Sequence, residues 1–183
     1  MNENLSRVVD ELGKISEDAR KKFGGLSAEQ VNWKPSPDAW SVGQCLEHLI
    51  KANELYFGEF DKLAAGTRRN SFWENWSPFT SLAGGFLIKS LKSEGRKVKT
   101  IQKMTPPSEI DGGIVSKFVE HNTEMAERIK AAENADWEKT VVTSPFMSLI
   151  TYRLSDGYEI VIEHEKRHIR QAERVTQMDG FPK

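Results

Sequence analysis

Apolar residues at Leu5, Val8, Val9, Leu12, Ile15 and Ala19 recur at three- and four-residue steps with charges between them, then stop before Gly24-Gly25. This spacing predicts an amphipathic helix. From Leu26 to Trp40 the chain holds Pro35, Pro37 and two tryptophans, which predicts an ordered connection with its aromatics packed on the body of the fold. A second helix starts at Ser41, because Ser41 and Gln44 have the S-x-x-Q spacing of a capping box and Trp40 can staple onto Cys45. It continues through Leu46, Leu49, Ile50, Leu55 and Phe57 to a stop near Gly66, and it carries His48.

From Thr67 to Gly113 the pattern weakens. Trp73, Trp76 and Pro78 lead into a short apolar run from Phe79 to Leu91, followed by basic residues and Pro106-Pro107. We read loops around one short helix. A connection this long is a candidate lid, pocket wall or oligomer contact, against the alternative of a tolerated surface insertion.

Periodicity returns at Val115, Phe118, Val119, Asn122, Met125, Ile129 and Ala132, a third long helix that ends before Trp137. After a turn-rich stretch from Thr143, a fourth begins near Asp156, with Glu159 as a possible capping partner, and runs to about Met178. It carries His164 and His168. Without convincing alternation over several strands, the pattern predicts an all-α fold: a four-helix bundle with long connecting loops and one short extra helix.

Composition narrows the function. A chain of 183 residues fits one domain spanning 1–183, with room for a core that needs no disulfide. Acidic and basic residues nearly balance, 27 against 26, so neither nucleic acid nor an anionic membrane is an expected partner. A single cysteine, Cys45, and the charges scattered through the first twenty residues point to a soluble, cytoplasmic protein. No run approaches the ~18 apolar residues of a membrane span.

Only four histidines are present, and His164 and His168 lie four apart on a predicted helix, where side chains share one face about 5–6 Å apart. Two imidazoles so placed can grip one cation, although charged helices also hold such pairs by chance. His48 lies between Leu46 and Leu49, where a histidine needs either a buried hydrogen-bond partner or a ligand role. His48 and His164 fall at similar depths in their helices: parallel helices would level them, antiparallel ones would need an axial offset. Three imidazoles with a vacant fourth position are what a catalytic divalent metal requires.

The run His164-Glu165-Lys166-Arg167-His168 also fits H-E-x-x-H, the zinc-protease helix in which the glutamate is the general base. Only fifteen residues follow His168, however, and Glu173 and Asp179 are poor third ligands, so a protease is not expected. Glu165 remains a candidate for moving protons at the metal. Gln44 and Gln171 each fall about one helical turn from a histidine and are candidates for orienting an imidazole or a bound water. Cys45 is placed near the pocket, as packing more than as a ligand. His121, flanked by Glu120 and Glu124, reads as a surface residue, against the alternative that it lines the pocket.

Trp40-Ser41-Val42-Gly43-Gln44 followed by Glu47-His48-Leu49, then His164-Glu165-x-x-His168-Ile169-x-Gln171, closely resembles the DinB-like metalloprotein superfamily, which includes the YfiT-type proteins. Asn32-Trp33-Lys34-Pro35, Pro106-Pro107 and Ser144-Pro145 resemble its connecting segments. The resemblance implies a four-helix bundle with a three-histidine site for zinc, nickel or a similar divalent ion, with His48, His164 and His168 as ligands. It further implies a small-molecule substrate and, as the leading expectation, a thiol-dependent transferase using a low-molecular-weight thiol cosubstrate. Metal-dependent hydrolysis and a non-catalytic metal- or ligand-binding bundle used in stress responses are the alternatives. A homodimer is expected through an apolar helix face, with the tryptophan-rich middle segment offering one surface.

Overall fold

The structure is a computed structural model, and it describes residues 3–78, 80–93 and 101–183. Seven helices are seen among them: α1 (Glu3–Phe23), α2 (Ala28–Asn32), α3 (Val42–Ala64), α4 (Phe72–Trp76), α5 (Thr80–Lys92), α6 (Ile114–Ala131) and α7 (Leu154–Thr176). A 3₁₀ turn covers Gln102–Met104, and strands β1 (Val141–Thr143) and β2 (Thr151–Arg153) form one antiparallel hairpin with Val142 opposite Tyr152. The all-α expectation holds, with this hairpin as its single small exception.

The four long helices close a ring in which α1 packs on α6 and α7, and α3 packs on the same two from the other side. Each turns its apolar stripe inward: Leu5, Val8, Leu12, Ile15 and Phe23 of α1, Leu46, Leu49 and Phe60 of α3, Phe118, Met125 and Ile129 of α6, and Val161, Ile162 and Ile169 of α7 are all buried. Burying a large aliphatic or aromatic side chain contributes roughly 1.5–3 kcal/mol, so these stripes are the main favourable term. α3 runs antiparallel to α7, since Phe60 meets Tyr158, Asn53 meets Glu165, and His48 meets His164 and His168.

α3 starts as its sequence predicts. The Ser41 hydroxyl accepts from the Gln44 N–H at 3.1 Å, and the Gln44 side chain accepts from the Ser41 N–H at 3.2 Å. It stops where Gly66 takes φ of 64°, a left-handed turn that lets the N–H groups of Gly66 and Thr67 close on the carbonyls of Leu63 and Lys62. The same capping box, Ser27 with Gln30, starts the short α2 inside what reads as a plain connection.

Two expectations need correction. α7 begins at Leu154, two residues before Asp156, and has no side-chain cap. Its first N–H groups are satisfied by backbone, Leu154 donating to the Thr140 carbonyl and Ser155 to that of Trp137, while Glu159 pairs instead with Arg7 at 2.8 Å. Backbone capping leaves no trace in residue type. Between Thr67 and Gly113 the described residues hold two α-helices and a 3₁₀ turn in place of one short helix. Residue 79 and the basic residues within 94–100 of that reading lie outside the described residues. Arg68, almost fully buried, locks the start of this segment by pairing with Glu59 and Glu74 and donating to the Val141 carbonyl. Glu74 in turn accepts from the N–H and hydroxyl of Thr143. The segment is thus bound to the hairpin and to α3 by a buried charge network, and α5 lies along the outside of α7.

Candidate metal centre

The antiparallel pairing of α3 and α7 supplies the axial offset that the histidines need. His48 sits in the second turn of α3, His164 and His168 lie mid-way along α7, and the three rings meet in pairs with centroids 4.6 to 5.0 Å apart. One ligating nitrogen from each lies within 4.8 Å of the others, and Nε2 of His48 and Nε2 of His164 are 3.1 Å apart. Two nitrogens at ~2.0–2.1 Å from a tetrahedral zinc stand roughly 3.3 Å apart, so the ring spacing is close to an edge of such a site.

The tautomer of His48 follows from its other nitrogen. Nδ1–H donates to the Met104 carbonyl at 2.9 Å, which leaves the lone pair of a neutral ring on Nε2, facing the other histidines. Burial pushes the pKa of His48 down, against the pull of that carbonyl. His164 is pushed down to about 3 by burial first, then by His48 and by Arg167. His168 is held well below the usual imidazole range by burial, by both other rings and by Arg167, with Gln171 pulling the other way. All three are therefore neutral at neutral pH, with lone pairs available to a metal. Nδ1 of His168 is buried and lacks a hydrogen bond of ordinary geometry, although Gln171 stands beside the ring. Convergent neutral donors with a buried nitrogen left unsatisfied fit a divalent cation.

A family model for the DinB superfamily matches residues 12–172, a span that includes the three gathered histidines, all of α3 and α6 and most of α1 and α7. The chain belongs to the DinB superfamily. No curated protein and no solved structure matches it.

The remaining residues singled out in the sequence are distributed differently around this DinB centre. Glu165, next to His164 in the chain, faces another seam: its carboxylate accepts from Asn53 at 2.7 Å and from Asn122 at 3.0 Å, fully buried, and burial raises its pKa to about 7 against those two hydrogen bonds. That position ties α7 to α3 and α6. Gln44 spends both ends of its amide elsewhere, the oxygen on Ser41 and the nitrogen on the Pro107 carbonyl at 2.8 Å. It braces the turn from which Met104 reaches His48. Cys45 is buried in the core, its thiol pushed up to about 12 by burial, and its sulfur is not among the gathered ligating atoms.

His121 is a correction. It is 7 % exposed, stacked on Phe57 with centroids 5.2 Å apart, with a pKa lowered to about 4 by burial and Nε2 unpartnered. Its flanking glutamates hid the fact that Phe57 of α3, which also carries the Arg128 guanidinium 4.3 Å over its ring, covers it.

Two contributors escaped the sequence reading. Trp40, treated only as a staple for α3, lies against His48 at 4.8 Å and stacks on His168 at 5.7 Å and 27°. Its place directly before the capping residue of the helix that carries His48 was the available signal. Arg167, one turn from His164, donates to the carbonyls of Ser90 and Ser93 and brings a positive charge and the end of α5 to the edge of the histidines.

Proposed function

We propose that this DinB protein binds one divalent transition-metal ion through His48, His164 and His168 and uses it in a reaction of small molecules, with thiol-dependent S-transfer as the leading activity. The gathering of three neutral imidazole nitrogens within 4.8 Å carries the reading. Among the described residues no fourth His, Cys, Asp or Glu joins them, which corresponds to the three-ligand, open arrangement of catalytic metal sites. Zinc and nickel are the first candidates, since neutral imidazoles suit both.

A divalent ion held there supplies Lewis acidity, lowering the pKa of a thiol or water in the open position. The chain's own groups set the conditions. The Met104 carbonyl fixes the tautomer of His48, Trp40 covers the side formed by His48 and His168, and the charge of Arg167 favours an anionic partner over a cationic one. Glu165, with its carboxylate taken by two amides, acts through the packing of α7 and not as a proton carrier.

The test loads the purified chain with zinc, nickel or cobalt(II), measures metal per chain by elemental analysis, and assays the product with a panel of thiols and electrophilic carbon compounds. One ion per chain, lost in His48→Ala, together with thiol consumption only in the loaded wild type, is the expected result. A folded protein that holds no stoichiometric metal, or thiol addition equally fast in His48→Ala, overturns it. Ester or amide turnover without thiol would move the assignment to hydrolysis, and a coordinatively saturated cobalt spectrum to a non-catalytic binding protein.

A further inference from the structure

Three side chains on one face of α3 reach the same stretch of chain. Gln44, His48 and Lys51 stand at i, i+4 and i+7, and they donate to the carbonyls of Pro107 at 2.8 Å, Met104 at 2.9 Å and Thr105 at 3.2 Å. The lengths agree, since Gln44 to Lys51 rises roughly 10 Å along a helix and Met104 to Pro107 covers roughly 10 Å of extended chain. Asn32, the last residue of α2, pins the far end: its amide nitrogen donates to the Ile110 carbonyl and its oxygen accepts from the Ile110 N–H, both at 2.8 Å.

Residues 104–110 could not hold this course by themselves. Pro106 and Pro107 have no N–H to donate, and Pro106 keeps Thr105 extended, at φ −69° and ψ 121°. Among the described residues the carbonyls of Met104, Thr105, Pro107 and Ile110 take hydrogen bonds from side chains, not from a helix or sheet ladder. Met104 and Pro106 are buried, so the segment lies along α3 as a fixed edge.

One of these carbonyls decides how His48 can act. A neutral imidazole binds a metal through the nitrogen that lacks the proton, and the hydrogen bond at the other nitrogen sets which one that is. Nδ1 of His48 faces Met104 and Nε2 faces His164, so only the Nδ1–H form leaves a lone pair on the side of the other ligands. An N–H···O bond spans only ~2.7–3.2 Å, and a Met104 carbonyl displaced by about 1 Å no longer holds the proton on Nδ1.

We propose that Gln44 and Lys51 are positioning residues of the metal centre: by holding the 104–110 segment along α3, they keep the Met104 carbonyl against Nδ1–H of His48 and the His48 lone pair on Nε2. The proposal rests on the reading of His48, His164 and His168 as a metal site, but the tautomer exists without metal and can be read without it. Gln44→Glu separates the two roles of Gln44. It keeps an oxygen for the Ser41 N–H, since glutamate serves a capping box as glutamine does, and removes the donor to Pro107. The carboxylate it adds would by charge alone strengthen cation binding, so a weakening comes through the segment. Lys51→Met keeps the length of the side chain and removes the donor to Thr105.

Long-range nitrogen–proton NMR correlation on the metal-free protein reads the His48 tautomer, and competition with a chromophoric chelator reads zinc affinity. The wild type is expected to carry the His48 proton on Nδ1. The Gln44→Glu/Lys51→Met double variant should show a mixture of both tautomers and zinc affinity lower by about tenfold, the low end for groups that support ligands, with an unchanged helical circular-dichroism spectrum. Lys51→Arg, which keeps a donor, should match the wild type in both. Should the double variant not fold, Lys51→Met alone is expected to move both readouts in the same direction by less. A wild-type proton on Nε2, or a folded variant without donors that keeps either the pure Nδ1–H tautomer or the wild-type affinity, overturns the proposal. A wild type that binds no zinc overturns the metal reading alone, and the tautomers of wild type and variant then decide whether Gln44 and Lys51 position His48.

Discussion

His164 and Glu165 are neighbours in the chain and both lie between helices, yet they occupy opposite kinds of polar layer. In the layer of Glu165 both carboxylate oxygens are satisfied, accepting from the amide groups of Asn53 and Asn122, although the Asn122 Oδ1 is left without a partner. The layer of His164 is left open, with three neutral rings aiming nitrogens at a common point and a buried nitrogen of His168 unsatisfied. Turning about 100° round a helix separates the two. Burial alone therefore does not mark the candidate site. What marks it is the convergence of three imidazole nitrogens within 4.8 Å of one another, a donor set that calls for a cation the chain does not itself supply.

The largest expected effect breaks this contrast on the open side. His164→Ala should weaken zinc or cobalt binding by more than about a hundredfold, beyond the ~10–100-fold typical of groups that only support a ligand, while thermal unfolding of the metal-free protein changes little. Competition with a chromophoric chelator measures the first and scanning calorimetry the second. A metal-free variant destabilised as strongly as one with a broken core would show the histidines to be structural.

Glu165→Leu is the mirror experiment. It leaves two buried amides without an acceptor, each worth roughly 1–3 kcal/mol, so denaturant unfolding should show a loss of about 2–6 kcal/mol. Metal stoichiometry in the folded fraction should stay at one. Loss of metal with full stability would instead connect Glu165 directly to the centre.

Acid sharpens the comparison because the two layers respond with opposite sign. His164 and His121 have folded pKa values lowered to about 3 and 4, below the ~6.5 of an unfolded histidine. Between those limits the unfolded chain binds more protons, and stability of the metal-free protein falls as pH drops, by at most about 1.4 kcal/mol per unit for each such ring. Glu165, raised to about 7, is protonated in the folded chain before the unfolded one, so its contribution grows as pH falls from 7 toward its ordinary value of 4.5. Glu165→Gln removes that opposing term. Its stability, followed by urea unfolding from pH 7 to 4.5, should fall more steeply than that of the wild type, and a parallel slope would remove Glu165 from the balance.

The four long helices could be read from the sequence because their apolar stripes face one core, and α3 in particular because its capping box uses side chains. The three histidines were legible for the same reason: i, i+4 spacing and a position between leucines are local facts. What was not legible depends on partners far away in the chain. α5 has apolar residues on both faces and so shows no amphipathic period, the strands are three residues each, α7 is capped by backbone from residues 137 and 140, and His121 is covered by Phe57 from another helix. The short α2 and α4 are different, since Ser27 with Gln30 and Ser71 with Glu74 carry the same capping signature as Ser41 with Gln44.

Trp40 gives the smallest effect and the finest test of the open layer. Its indole contacts two of the three rings and makes the wall that limits how they turn. In Trp40→Ala both imidazoles gain freedom and one side of the centre is wetted, which should weaken metal binding by about tenfold, the low end for groups that support ligands. Trp40→Phe keeps an aromatic face and should recover most of it. A merely structural role would lower stability in Trp40→Ala and leave the cobalt(II) visible spectrum of the loaded protein unchanged. A wall for the ligands predicts weaker absorption, as added water raises the coordination number above four. Unaltered affinity and spectrum in Trp40→Ala would leave the histidines orienting themselves through Met104 and Gln171 alone.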